Sequence, residues 1–322
     1  MSSMSAPTSP FSLAPGTKAR GWLPVSHRPG GGEVAIPWMA IRGAADGPVL
    51  AVNGSVHGDE YEGGEAIREL WAELDPASLR GTWIGVPAVN VAAYEMASRV
   101  SPLDGLNLNR VFPGDATPTL SGMVARRYFH EIVARSAAVL DLHSGGNPLS
   151  MLPLVAYSEV SPASLALAEQ TGLDVLWRMP PAWSGSLCVA ASAAGVPTVT
   201  PEIGNDGRLD ATATALMRDV VVNVMRGLGL LEAREGTASP RRRRVVRGSY
   251  IPAPVGGLFQ PAVRLGDEVK RGQHVATIRD VFGDVVERVA APVDGLVCSY
   301  RTIPPVMPGD QTVLVGEVVE ER

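Results

Sequence analysis

At 322 residues, of which 45% are apolar, the chain is long enough for one large domain and a smaller companion with a substantial core. A formal charge of −5 and a pI near 5.6 give no basic footprint for nucleic acid or a membrane surface, so the expected partners are small molecules. Cys188 and Cys298 are too far apart in sequence to read as the disulfide framework of a secreted protein. No signal pattern opens the chain and no apolar run reaches the roughly 18 residues of a membrane-spanning helix, so a cytoplasmic protein is expected.

Residues 1–20 are rich in Ser, Pro and Ala without periodicity and read as a flexible arm, or an extended edge segment, ahead of a catalytic domain spanning 21–235. Val34 to Arg42 reads as an edge strand, because Pro37 cannot donate a ladder hydrogen bond. The run Val49 to Val52 has the length and branching of a buried strand, and Asn53-Gly54 breaks it. His57 and Glu60 therefore fall in the loop beyond the strand's end, which is where open α/β sheets put their ligands. An imidazole nitrogen and a carboxylate oxygen each bind zinc at about 2 Å, and Gly58 permits the turn on which the two side chains converge. Taken alone, an H-x-x-E pair is more often an ordinary polar loop. The downstream motifs change that balance.

Glu62 to Leu74 carries apolar residues at helical spacing, and Gly81 to Val89 reads as a second strand. Asn90 opens a loop running to about Pro118, a length usually associated with function. Its strongest polar groups are Arg99, Asn109 and Arg110, and the planar fork of arginine suits a carboxylate. Thr119 to Ala137 reads as a helix with Met123, Val124, Tyr128, Ile132 and Val133 inward. It leads into a second apolar strand that ends in His143, the same kind of position as His57. Two strand-end histidines in one sheet can converge on a metal at its C-terminal edge, and Asp141, on the same strand face as His143, is available to orient it. Val196 to Gly204 ends a further strand with Glu202 at its exit, where a buried carboxylate near a cation can act as a general base. The irregular stretches 147–160 and 177–188, with Trp177, Arg178 and Trp183, are expected to supply pocket walls.

Gly236 to Pro240 has the composition of a domain boundary, followed by four arginines, Arg241 to Arg244. In the C-terminal unit, 236–322, the heptad APVGGLF from Ala253 is echoed by APVDGLV from Ala291, and each copy precedes a Gly-Asp turn, Gly266-Asp267 and Gly309-Asp310. Two related halves of a small all-β barrel are expected, similar to the lipoyl and biotinyl carrier fold. The hairpin tip expected near 279–288 contains no lysine, so the carrier chemistry is absent. A role in covering the active-site cleft is expected instead.

The four motifs HGDE (His57 to Glu60), NLNRVFPG (Asn107 to Gly114), DLH (Asp141 to His143) and PEIG (Pro201 to Gly204), in this order, resemble the succinylglutamate desuccinylase and aspartoacylase family of zinc carboxypeptidase-like hydrolases. The resemblance spans about residues 45–320. It implies an α/β fold with a mixed sheet flanked by helices, and a smaller C-terminal β domain that restricts access to small substrates. It also implies one zinc ion (Zn2+) per chain, held by His57, Glu60 and His143 with a fourth position left for water. Glu202 matches the general base, Arg99 the arginine that polarises the scissile carbonyl, and Asn109 with Arg110 the pair that grips a substrate carboxylate.

The chain departs from that pattern at Asn107, where the family has Asp. The family also brings a tyrosine into the site from its C-terminal part; Tyr250 and Tyr300 are candidates and neither is assigned. The function implied is a zinc-dependent amidohydrolase that removes a short acyl group from an N-acyl amino acid or related small amide. NLNRVFPG looks most like the branch that deacetylates N-acetylated diamino acids such as acetyl-diaminobutyrate. The competing readings are a carboxypeptidase-type metallopeptidase and a non-catalytic binding protein of the same fold. A serine hydrolase is disfavoured because the chain has no G-x-S-x-G elbow. A homo-oligomer is compatible with the sequence.

Overall fold

A computed structural model of the chain describes residues 9–115, 118–233 and 243–322. The first strands are β1 (Thr17–His27), β2 (Glu33–Arg42), β3 (Ala45–Asn53), β4 (Arg80–Val86) and β5 (Ala138–Asp141). They are followed by β6 (Leu149–Met151), β7 (Leu154–Ser158), β8 (Val175–Met179), β9 (Thr198–Glu202) and β10 (Arg244–Arg247). The helices are α1 (Glu62–Glu73), α2 (Val91–Glu95), α3 (Leu120–Glu131), α4 (Pro162–Gln170), α5 (Leu187–Ala193) and α6 (Ala211–Gly227).

The central sheet begins in the order β1-β2-β4-β3-β5-β9-β7-β8-β10. Its middle strands β4, β3, β5 and β9 run parallel, whereas β1, β2 and β7 introduce antiparallel neighbours. Strands buried on both faces are apolar at every position, which is why the runs in β3 and β5 are continuous rather than alternating. The pleat then divides them: Leu50, Val52, Ala138 and Leu140 join the core beneath α1, α4 and α6. Ala51 and Val139 join the core beneath α3 and α5. The mixed sheet with helices on both faces is the architecture anticipated from the sequence.

Three local expectations are corrected. Residues 1–20 do not all form an arm, because β1 begins at Thr17 and Leu13 is buried in the same core as Trp38 and Tyr128; residues 1–8 lie outside the described part. β2 is not an edge strand but pairs with both β1 and β4. Its pairing with β4 covers only Met39 to Arg42, so Pro37 lies beyond the end of β4 and its missing N–H costs no ladder bond on that side. Met123 faces outward, 43% exposed, because the inward stripe of α3 is Val124, Ala125, Tyr128 and Phe129.

The C-terminal strands are β11 (Tyr250–Pro252), β12 (Gly257–Pro261), β13 (Glu268–Val269), β14 (His274–Arg279), β15 (Val285–Ala290), β16 (Gly295–Arg301), β17 (Pro305–Val306) and β18 (Gln311–Glu321). β12, β14, β15 and β17 form a separate antiparallel sheet. It packs Phe259, Val275 and Ile278 against Val297, Val313 and Val315 of β16 and β18. β10 lies within the stretch assigned to the C-terminal unit, yet it extends the central sheet, parallel to β8. β18 is long enough to serve both units, pairing with β10 at its far end and with β11 and β16 at its near end. The proposed boundary at 236 and the residues Arg241 and Arg242 lie outside the described part. No helix among the described residues is long and apolar enough to cross a membrane.

Candidate metal centre and active site

Three adjacent parallel strands deliver the candidate residues to one edge of the sheet. β3 ends at Asn53 and its loop carries His57 and Glu60; β5 ends at Asp141, two residues before His143; β9 ends at Glu202. The backbones of His143 and Glu202 form a parallel bridge just past the strand ends. Gly58 is required within HGDE, since a Cβ there would lie 2.0 Å from the Ala93 carbonyl carbon. That close approach, with Gly58 N–H donating to Ser98 O at 2.9 Å, docks the loop bearing Arg99 against the histidine loop.

His57, Glu60 and His143 offer ligand atoms within 4.8 Å of one another. Their exposures are 2%, 3% and 2%, so these polar groups have little water to solvate them and must satisfy one another or an ion. His57 Nδ1 lies 2.8 Å from Glu60 Oε1 and His143 Nδ1 lies 2.7 Å from Glu60 Oε2. The other ring nitrogens face separate groups: His57 Nε2 is hydrogen-bonded to Asn107 Oδ1 at 3.1 Å, and His143 Nε2 sits 3.2 Å from Asp141 Oδ2, an ion-pair contact without the alignment of a hydrogen bond. Asn107 Oδ1 also accepts the Asn109 N–H at 2.8 Å. That oxygen is therefore an acceptor, the proton belongs on His57 Nε2, and Nδ1 carries the lone pair. Two imidazoles and one carboxylate with their outer nitrogens occupied make a donor set that fits zinc with an open fourth position.

Burial opposes charge on all of these groups, and the neighbours decide the outcome. Burial, reinforced by Arg99, lowers His57 to about 4. Burial disfavours ionised Glu60, but the two imidazoles outweigh it and hold the carboxyl well below its usual range. His143 would likewise lose its proton on burial, yet Asp141 and Glu60 raise it well above the imidazole range. Burial pushes Glu202 up to about 8, with Glu60 acting in the same direction and His143 and Arg99 against it.

The seven residues assigned to the site from the sequence line one cavity: His57, Glu60, Arg99, Asn109, Arg110, His143 and Glu202. Arg99 donates to Glu60 Oε1 at 3.1 Å. The Asn109 amide is held by the Leu187 N–H at 2.8 Å at the start of α5, and Arg110 lies over the Trp183 ring at 5.5 Å. Trp177 and Trp183 meet edge to face at 5.3 Å and wall the cavity, as expected of that stretch. Arg178 turns away, donating to the Tyr157 hydroxyl at 3.0 Å and to Glu320 at 3.3 Å.

The sequence reading left Tyr250 unassigned, and the fold brings it to the cavity while Tyr300 does not line it. The Tyr250 hydroxyl lies 3.0 Å from Ser299 Oγ, and burial keeps it protonated. Thr200, Ser186 and Gln311 complete the polar wall; no spacing in the sequence marks them, because each reaches the cavity from a different strand or helix start.

A family model described as the succinylglutamate desuccinylase/aspartoacylase catalytic domain matches residues 46–228, more than half of the chain. The chain belongs to this family. It is 31% identical over 312 residues to the N-alpha-acetyl-L-2,4-diaminobutyric acid deacetylase of Halomonas elongata, covering 92% of this chain and 90% of that one. Among solved structures, a succinylglutamate desuccinylase/aspartoacylase from Rhodobacter sphaeroides superposes with a TM-score of 0.85 at 28% identity, covering 96% and 98% of the two chains. The product-bound ectoine utilization protein EutE (DoeB) from Ruegeria pomeroyi gives 0.84 at 27% identity, covering 93% and 94%.

Proposed function

We propose that the chain is a zinc-dependent amidohydrolase that removes a short acyl group from an N-acyl amino acid, with an N-acetylated diamino acid as the favoured substrate. The observation that carries this reading is the convergence of His57 Nδ1, Glu60 and His143 Nδ1 in a cavity that also holds Glu202, Arg99 and Arg110. His57, Glu60 and His143 would hold the ion, which when bound supplies a Lewis acid and lowers the pKa of water to about 7.

The protein's own groups account for the remaining chemistry. Glu202 takes the proton of the attacking water and returns it to the leaving amine, a task suited to a carboxyl raised by its surroundings. Arg99, already aimed at the ligand cluster, stabilises the negative charge that develops on the carbonyl oxygen. Arg110, stacked on Trp183, and Asn109, its amide fixed by the start of α5, grip the substrate carboxylate. The Tyr250 hydroxyl, protonated and hydrogen-bonded to Ser299 Oγ, adds a neutral polar group to the cavity wall.

The diamino-acid assignment draws support from the relative in Halomonas elongata, whose name states that activity, and from the NLNRVFPG stretch. The walls formed by Trp177, Trp183 and Met179 favour a short acylated amino acid over a peptide tail. Elemental analysis beside an amine-release assay over N-acetyl and N-succinyl amino acids tests the reading. One zinc per chain and chelator-sensitive release of amine is the expected result. Preferred cleavage of a C-terminal dipeptide would replace this assignment with a peptidase.

A further inference from the structure

Behind His143, on the side away from the cavity, runs a line of buried polar side chains that the reaction does not touch. Asn53 and Asp141, the last residues of β3 and β5, are register partners and both are fully buried. Asn53 Nδ2 donates to Asp141 Oδ1 at 2.6 Å. The Tyr128 hydroxyl, fully buried on α3, donates to Asn53 Oδ1 at 2.8 Å. Asp141 Oδ2 lies 3.2 Å from His143 Nε2, and His143 Nδ1 faces Glu60.

The line has one direction. A phenol buried in an apolar core stays protonated and donates, which makes the Asn53 atom facing it the oxygen and the atom facing Asp141 the nitrogen. Asp141 is thereby held by one oxygen and offers the other to His143. With the Asp141 carboxylate 3.2 Å from Nε2, the ring favours a proton on that side, which leaves Nδ1 as the nitrogen to face a cation. Placing three polar side chains among apolar strands and a helix is costly, the more so because Asp141 Oδ2 makes no well-aligned hydrogen bond and has only its 3.2 Å ion-pair contact with the His143 ring, and an apolar set of similar volume would serve packing at least as well. Packing alone gives no reason for the line to end on a ligand candidate.

We propose that Tyr128 and Asn53 are positioning residues of the metal centre, acting through Asp141 to fix which ring nitrogen His143 presents to the cation and in what orientation. This rests on the zinc reading given above. It sets the two histidines apart: His143 is backed by an anchored carboxylate, whereas His57 is backed by the neutral amide of Asn107.

The experiment is zinc affinity by competition with a chromophoric chelator, measured on the full-length metal-free protein, together with the visible absorption spectrum of the cobalt(II) form. Tyr128→Phe and Asn53→Leu are compared with wild type and with Ser164→Ala. That control breaks a buried pair, Ser164 Oγ to Ser192 Oγ at 2.9 Å, and the bond from Thr198 N–H at 3.0 Å, at the far end of β9 from Glu202. Loss of outer partners typically costs about 10- to 100-fold in metal affinity. A loss in that range is expected for Asn53→Leu, a smaller loss for Tyr128→Phe, and an altered cobalt spectrum for both, while Ser164→Ala binds zinc as wild type does. Zinc affinity within about twofold of wild type in both variants, with unchanged cobalt spectra, overturns the proposal and leaves the zinc reading standing. Equal weakening by Ser164→Ala overturns it as well, since general loosening of the core would then explain the effect. If Asn53→Leu does not fold, Tyr128→Phe decides alone. A wild-type protein that binds no zinc overturns both this inference and the reading beneath it.

Discussion

Arg99 and His57 compete for one atom: the guanidinium donates to Glu60 Oε1 at 3.1 Å, and His57 Nδ1 approaches the same oxygen at 2.8 Å. A cation held by His57 and Glu60 would occupy this carboxylate and would leave Arg99 free to face the substrate carbonyl. Removing one donor to a developing oxyanion usually costs on the order of 10²–10³ in kcat. Arg99→Ala is expected to lower kcat by that order with zinc content unchanged. Steady-state kinetics beside elemental analysis separates this from loss of the metal.

Glu202→Gln keeps the size and position of the side chain but cannot accept a proton. A general base contributes typically 10²–10⁴-fold, so turnover should fall by about that much while zinc remains bound. Unchanged turnover in a zinc-loaded Glu202→Gln protein would falsify the assigned role.

The same carboxyl links stability to pH in the metal-free protein. Glu202 is raised from its ordinary value near 4.5 to about 8, so between those values the folded chain keeps a proton that the unfolded chain has released. Folding is then favoured most below about 4.5, and this contribution is lost as pH rises toward 8. Urea midpoints of metal-free wild type should therefore fall more steeply across that window than those of Glu202→Gln. The difference between the two slopes isolates this group from the histidines.

Withdrawing the metal should remove activity and lower the melting temperature together. Metal that binds only the folded state stabilises it by about 4 kcal/mol at a thousandfold excess over Kd. Dialysis against a chelator followed by zinc addition should restore both properties. Restored stability without restored activity would point to a purely structural ion.

Asn107→Asp tests the departure from the family's D-L-N-R run. The carboxylate can keep the bond from Asn109 N–H now made to Asn107 Oδ1 while giving His57 Nε2 a charged partner, which raises the basicity of Nδ1. Zinc affinity is expected to rise severalfold, up to about tenfold, by the same competition titration.

The site candidates were legible because each buried strand run stops a few residues before the one that matters: Val49 to Val52 before His57, Ala138 to Leu140 before His143, and Val196 to Thr200 before Glu202. A parallel sheet buried on both faces has nowhere else to place polar groups, so the end of a run marks the functional edge. Tyr250 was not legible in this way, since β11 is brought to the cavity by pairing with β18, 61 residues on from Tyr250 at its first residue, Gln311. Asn53 was read only as a strand breaker, because its bonds to Asp141 and Tyr128 exist only once β5 and α3 are in place. Pro37 misled for a related reason. A proline tells of a missing donor but not of how far the neighbouring strand extends.

β18 gives one end of itself to each unit, and β16 also pairs with β6 beside the His143 loop. The two units are therefore poor candidates for recombination as modules. A chain cut at the boundary suggested by composition would strip β10 and β18 from the edge of the central sheet and take Tyr250 out of the cavity in the same step. Such a fragment exposes a raw strand edge on β8 and invites self-association. The architecture ties the integrity of the cavity to that of its β cover, and neither survives the loss of the other.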